Sequence, residues 1–309
     1  MGAGPWGRNC LRTLGRAAGA RLIAVASRNP ATRALVAPEC RVVAEWRELL
    51  DLELEGVVIA TPPASHLPIA AEFLRRDIAV MIEKPLCMEL AAAAEFRELA
   101  ASRRAYAMVD HIHLYSPAYR MLKRLSPGLG AIRSVASAGG RQGPYRADTP
   151  ALWDWGPHDV SMILDLMQAQ PRSGSARRPL HVAAESGFAD NYEIEMEFPG
   201  GARARATFGN ALPRTRRLEV VHERGTLIYD NLAAAKLAYR GEGGAREREI
   251  VAALAAADLG RLPLDCALES FCDAVRSRST DLASLDLAVA VTGVLDAVAR
   301  ATGEAGAAP

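Results

Sequence analysis

The chain has 309 residues, half of them hydrophobic, with 37 basic against 36 acidic side chains and a formal net charge of +1. Chains above roughly 250 residues usually divide into two domains, and this composition is ordinary for a folded globular protein. Without a basic excess the chain is no candidate for nucleic acid, and no apolar run reaches the roughly 18 residues that span a bilayer, so no membrane partner is expected.

Five cysteines are scattered (Cys10, Cys40, Cys87, Cys266, Cys272) and none forms a C-x-x-C pair. That spacing argues against zinc, and an odd number of separate thiols suits a reducing compartment. The N-terminus lacks the apolar core of a signal peptide. The expectation is a cytoplasmic protein that binds no metal.

In chain order, the first feature is Gly2-Ala3-Gly4-Pro5-Trp6-Gly7, which matches G-x-G-x-x-G at every glycine. One glycine permits the tight turn, one lets backbone amides approach a pyrophosphate, and one lets the following helix pack closely. That helix is expected over residues 8–17, with its N-terminal amides aimed at phosphate. A strand normally precedes such a turn and lies centrally in the sheet. Here Met1 stands directly on the turn, and the expectation is that the first strand is missing and the native start lies upstream.

Residues 21–26 read as a buried strand that ends at Ser27-Arg28. A carboxylate near this strand end would bind the ribose 2′-hydroxyl of NAD, whereas a hydroxyl beside a guanidinium suits a 2′-phosphate. NADP is therefore preferred over NAD, with a solvated loop residue as the alternative reading of Arg28. Residues 56–60 and 78–82 are further unbroken apolar strands, and 67–75 and 90–101 carry helical periodicity. Strand and helix in alternation point to a parallel sheet covered on both faces.

The pattern changes near residue 113. A helix over 118–125, a strand over 131–138 and a helix over 153–167 lead into strand after strand over 181–240, with a helical tail over 265–301. Glu193-Ile194-Glu195-Met196-Glu197-Phe198 alternates as a half-buried antiparallel strand does. The fold class is α/β: a Rossmann dinucleotide-binding domain over 1–112, then an α+β domain over 113–309 with an open, mostly antiparallel sheet, whose last helix is a candidate to pack back on the first domain. An open sheet needs cover, so a homo-dimer or homo-tetramer is expected.

Glu83-Lys84-Pro85, Thr61-Pro62-Pro63 with His66, and Trp153-Asp154-Trp155-Gly156-Pro157-His158-Asp159 complete the motif set. Together with the glycine turn, Ser116-Pro117-Ala118-Tyr119 and Arg141-Gln142-Gly143-Pro144, they resemble the glucose–fructose oxidoreductase / inositol dehydrogenase / rhizopine catabolism (Gfo/Idh/MocA) family. The resemblance implies an N-terminal domain that binds NAD(P) and a sugar-like substrate held between the domains. It also implies that the E-K-P lysine touches cofactor and substrate hydroxyl, often with a cis proline peptide, and that the histidine of the later helix is the acid/base. Cofactor candidates are thus Gly2, Gly4, Pro5, Trp6, Gly7, Ser27, Arg28, Thr61, Pro62, His66, Glu83 and Lys84. Catalytic candidates are Lys84, His158 and Asp154, and His111, Tyr115, Arg141 and Trp155 are candidates for the substrate cleft.

The chemistry of these residue types fits hydride exchange between a carbinol and nicotinamide. An imidazole at His158 can take or give the hydroxyl proton near neutral pH. Lys84 can polarise the reacting oxygen. Asp154 lies one helical turn before His158, where it can bind a neighbouring hydroxyl, orient the imidazole or cap the helix. Two features depart from familiar relatives: Ser161 replaces an aspartate three residues after the histidine, and Asp110-His111-Ile112-His113 is unusual. The leading expectation is an oxidoreductase acting on a sugar, nucleotide sugar or cyclitol. The alternatives are an NAD-dependent glycoside hydrolase of the same family and a non-catalytic NADP-binding sensor.

Overall fold

The computed structural model describes residues 1–17, 19–241 and 243–304. The chain forms two compact units, Met1–His111 with Leu264–Thr292, and Ile112–Pro263 with the residues from Gly293 onward.

The first unit opens on α1 (Pro5–Leu14), followed by β1 (Ala24–Ala26), β2 (Arg41–Val43) and β3 (Gly56–Ile59). Helix α2 (His66–Leu74), β4 (Ala79–Glu83), α3 (Leu90–Arg103) and β5 (Ala107–Asp110) complete the alternation. All its strand pairs are parallel, in the orders β1-β2 and β3-β4-β5. Every residue of β4 and of β5 is buried, as expected for strands covered on both faces.

The helix after the glycine turn starts three residues earlier than expected. Gly4 is its N-cap and Pro5 its first residue, where proline's fixed φ and missing N–H are no handicap. It stops at Leu14, ahead of Gly15. Strand β1 is shorter than residues 21–26; only Ala24, Val25 and Ala26 pair with β2. Strands β2 and β5 were not anticipated: β2 has only Val42 and Val43 as large apolar residues, and the Ala105–Val109 run begins two residues after α3 ends at Arg103.

Between the two parallel sheets, the backbone of Met1 and Gly2 makes a hydrogen bond to each side. Gly2 N–H donates to Ala26 O at 3.1 Å, and Ala60 N–H donates to Met1 O at 2.9 Å. A cavity of about 250 Å³ lies beside them, lined by Cys10, Leu14, Ile23, Val57 and Phe271 among others.

The second unit contains α4 (Pro117–Leu125), β6 (Ile132–Gln142), α5 (Ala151–Met167), β7 (Ser173–Ala184) and β8 (Gly187–Glu197). Next come β9 (Arg203–Gly209), β10 (Ala211–His222), β11 (Gly225–Asp230), β12 (Leu237–Arg240) and α6 (Ala245–Ala256). The seven strands form one sheet in the order β12-β11-β10-β6-β9-β8-β7. Each pairing is antiparallel except β6 with β9. Helix α5 packs on β6, β8 and β9. Under it the alternation of β8 is clean: Tyr192, Ile194 and Met196 are buried, while Glu195 and Glu197 face out.

The single helical tail expected over 265–301 is two helices, α7 (Pro263–Arg276) and α8 (Ala283–Ala301). The break is local chemistry. Arg278 takes a left-handed φ of 50°, Ser279 Oγ accepts from Asp281 N–H, and Asp281 Oδ1 accepts from Ala283 N–H at 2.9 Å. Such side chains offer the backbone an alternative to the helix and then restart it. Leu285 and Ala288 of α8 join the core of the first unit. Helix α6 was not anticipated; Ile250 is the one large apolar side chain it buries among the described residues.

Candidate functional site

In the first unit the three motif glycines divide their work. Gly2 has φ +84°, and a Cβ there would stand 2.4 Å from Ala60 O. A Cβ on Gly7 would stand 2.2 Å from Gly2 O, so the helix can pack on the turn only without a side chain. A Cβ on Gly4 would meet nothing within 4 Å. Two glycines therefore serve the turn itself, and the third keeps the space before the helix N-terminus clear. Helix α1 has no acidic residue in its first turn, and first-turn amides with the positive end of the helix dipole suit an anion such as a pyrophosphate. The cradle fits a dinucleotide.

The carboxyl ends of β3, β4 and β5 adjoin one another and carry Thr61 and Pro62, Glu83 and Lys84, and Asp110 and His111. Ligands of open parallel sheets bind at such ends. Lys84-Pro85 is a cis peptide. His66 is 1% exposed, and its ring bridges two loops, with Nδ1 at 2.9 Å from Pro85 O and Nε2 at 2.8 Å from Thr61 O. The structure thus places His66 as a strut beneath the site.

Glu83 and Asp110 are register partners across β4 and β5, so two buried carboxyls stand side by side at the strand ends. Burial lifts Glu83 well above the usual carboxylate range, and the Asp110 charge adds to it. Burial likewise pushes Asp110 up to about 6, against the pull of the neighbouring Glu83 carboxyl and of Lys84. His111 is pushed down to about 4 by burial and, secondarily, by Lys84. Asp110 escaped the sequence reading as a site residue; its signal was an acid at the end of an apolar strand, beside His111.

At the end of β1, Ser27 Oγ lies 2.8 Å from Thr32 Oγ1, and Arg28 pairs with Glu45 at 2.8 Å with its side chain 79% exposed. An ion pair in that much solvent contributes little, which leaves the guanidinium available to an anion.

In the second unit, α5 presents Asp154, Trp155 and His158. Pro150 occupies the cap position and accepts from Asp154 N–H at 2.9 Å, so the capping reading of Asp154 falls. Asp159 points into the sheet instead: Ser137 Oγ donates to Oδ1 at 2.5 Å and Arg216 Nη1 to Oδ2 at 2.8 Å. Arg216 also lies 5.6 Å from the Trp155 ring. Neither Arg216 nor this pairing was legible in the chain. The His113 ring meets the His158 ring edge-on at 5.0 Å. Tyr115 stacks under Arg120 at 5.1 Å. Arg141 is exposed and donates to Gly143 O at 3.1 Å.

Among the described residues no group of three His, Cys, Asp or Glu side chains can hold a metal ion, and no helix is long and apolar enough to cross a membrane.

A glycine-cradled helix N-terminus beside the ends of a parallel sheet defines a dinucleotide-binding oxidoreductase. The oxidoreductase family with an NAD-binding Rossmann fold matches residues 1–111, and the Gfo/Idh/MocA C-terminal domain matches residues 126–228. The chain belongs to the Gfo/Idh/MocA oxidoreductase family, as its motifs indicated. It is 26% identical over 299 residues to a UDP-N-acetylglucosamine 3-dehydrogenase from Acidithiobacillus ferrooxidans, covering 90% of this chain and 92% of that one. It is 24% identical to an inositol 2-dehydrogenase from Rhizobium meliloti, covering 75% and 74%. A crystal structure of a Magnetospirillum magnetotacticum protein superposes with TM-score 0.85 at 35% identity, covering 96% and 97% of the two chains.

Proposed function

We propose that this chain is a dehydrogenase or ketoreductase that uses NADP and interconverts a carbinol and a ketone on a sugar, nucleotide sugar or cyclitol. The observation that carries the reading is the glycine turn, in which Gly2 and Gly7 have no room for a side chain while Gly4 faces open space. The relatives named above act on a nucleotide sugar and on inositol, which supports the substrate class.

When bound, the nicotinamide exchanges a hydride with the carbinol carbon. The chain's own residues do the rest. The turn and the amides of α1 hold the pyrophosphate, with Pro5 and Trp6 in the first helical turn. Thr61, Pro62, Glu83 and Lys84 line the strand ends. Ser27 and Arg28 hold a 2′-phosphate. His158 takes or returns the hydroxyl proton, Lys84 polarises the reacting oxygen, and Asp154, one turn before His158, binds a neighbouring hydroxyl. Tyr115, Arg141, Trp155 and His111 contribute to the cleft.

The test is turnover of NADPH or NADP by the full chain against a panel of nucleotide sugars, sugars and cyclitols, with Lys84→Ala and His158→Ala as controls. Net turnover, lost by about 10²-fold or more in either variant, supports the reading. Glycoside cleavage without net NADP turnover would replace it with the hydrolase alternative.

A further inference from the structure

His158 has a neighbour in the unusual Asp110-His111-Ile112-His113 stretch. His113 sits in a short 3-10 turn, Ile112–Tyr115, and its ring stands edge-on to that of His158, 77° between planes and 5.0 Å between centroids. It is held there from behind: His113 Nδ1 is 3.1 Å from the hydroxyl of Tyr229 on β11. Tyr229 is fully buried, and the Tyr119 ring packs edge-on against it at 6.3 Å. Tyr119 itself is fastened to α5, donating to Met162 O at 3.0 Å and Asp165 Oδ2 at 2.8 Å.

Donor and acceptor roles in this pair follow from acidity. A phenol is a stronger proton donor than a neutral imidazole, so the Tyr229 hydroxyl donates to His113 Nδ1. An imidazole that accepts at Nδ1 carries its proton on Nε2. The Tyr229 hydroxyl thus holds the His113 ring through Nδ1. The second torsion of a histidine is otherwise broad, so an edge-on ring at 5.0 Å limits how far the His158 imidazole can turn.

We propose that His113, anchored by Tyr229, is a positioning residue that holds the His158 imidazole in one plane for proton transfer. This rests on the reading of His158 as the proton-transfer group. His113 touches that group and needs no contact with substrate. A 1 Å displacement of a proton-transfer group is enough to cost a large part of its rate.

The test uses the full-length chain with ¹⁵N-labelled histidine. The six histidines are followed by long-range ¹H–¹⁵N correlation in wild type, Tyr229→Phe and His113→Ala, with His158→Ala to assign the partner ring. Wild type should show an acceptor-type Nδ1 at His113, and Tyr229→Phe should convert it to a mixture of tautomers. Both variants should shift the ring nitrogens of His158. In turnover, His113→Ala should lower kcat about tenfold with KM changed less than about twofold, and Tyr229→Phe should fall between it and wild type. If His113→Ala does not fold, Tyr229→Phe, which deletes one oxygen, carries the test alone. His158 resonances that stay put in folded variants overturn the proposal, as does a change confined to KM. A His158→Ala chain with normal turnover would instead overturn the reading of His158, while the resonance shifts would still report whether the two rings are coupled.

Discussion

The indole N–H of Trp6 donates to Oε1 of Glu83, which ties the first turn of α1 to the strand end that bears Lys84. Two motifs 77 residues apart in the chain are thereby one piece of structure. Glu83 is 7% exposed and needs such a donor, because a buried carboxyl without partners is costly.

The carboxyl pair beneath this bond makes stability depend on pH. Asp110 is raised from 3.8 to about 6 and Glu83 is raised as well, chiefly by burial. A group whose folded pKa is raised favours the folded state while protonated, so this contribution is present at low pH and is lost as pH climbs through about 6 for Asp110. Asp110→Asn cannot ionise. Its stability relative to wild type should rise between pH 4 and pH 8 by about 3 kcal/mol, taken from a shift of about two units at roughly 1.4 kcal/mol each. Urea unfolding at a series of pH values checks this, and a difference that is flat or falls with pH would refute it.

Substitution of the motif glycines should separate folding from binding. A Cβ on Gly4 meets nothing within 4 Å, so Gly4→Val should fold normally and bind NADPH at least about tenfold more weakly. Gly7→Ala places a methyl 2.2 Å from Gly2 O and should lower stability by about 1–3 kcal/mol. Thermal melts and tryptophan-to-nicotinamide energy transfer report the two effects. Equal NADPH affinity in Gly4→Val and wild type would remove the phosphate from this turn.

Arg28 tests the cofactor assignment. Its exposed pairing with Glu45 adds little to stability, so Arg28→Ala should leave the melting temperature almost unchanged. Its Kd for NADPH should rise about tenfold while that for NADH stays within about twofold. A parallel loss for both cofactors would mean that the guanidinium does not read the 2′-position.

Asp159 and Arg216 form an ion pair with side chains 0% and 6% exposed. Removing one partner strands a buried charge, so Arg216→Met should cost about 3–5 kcal/mol, and Asp159→Asn in the same chain should restore part of it. Chemical denaturation of these two variants and of Asp159→Asn alone closes the cycle. A double variant no more stable than Arg216→Met would show that the guanidinium acts through its packing on Trp155, not through the carboxylate.

The parts of the site that were legible in the chain share a property: their chemistry depends on neighbours a few residues away. The glycine turn, Glu83-Lys84-Pro85 and the Asp154–His158 spacing are local, because a turn or one helical repeat sets which groups stand together. The break at Arg278, the early start of α1 at Pro5 and the unread helix α6 were missed for a different reason. Each hangs on capping or a single buried residue, too small a signal for apolar periodicity to register.

What the sequence determined by itself was the alternation of buried strands and helices, the change to an antiparallel pattern after residue 113, and the motifs that mark an oxidoreductase with a Rossmann domain. What only the tertiary structure decided was which polar groups meet after the chain returns on itself. Examples are Glu83 with Asp110 across two strands, Asp159 with Arg216 57 residues apart, and His113 with Tyr229 116 residues apart. Burial pattern is written locally, since each residue's face follows from its own period. Pairing of buried charges and hydroxyls is not, since it depends on sheet order and register, which are settled only when the core closes.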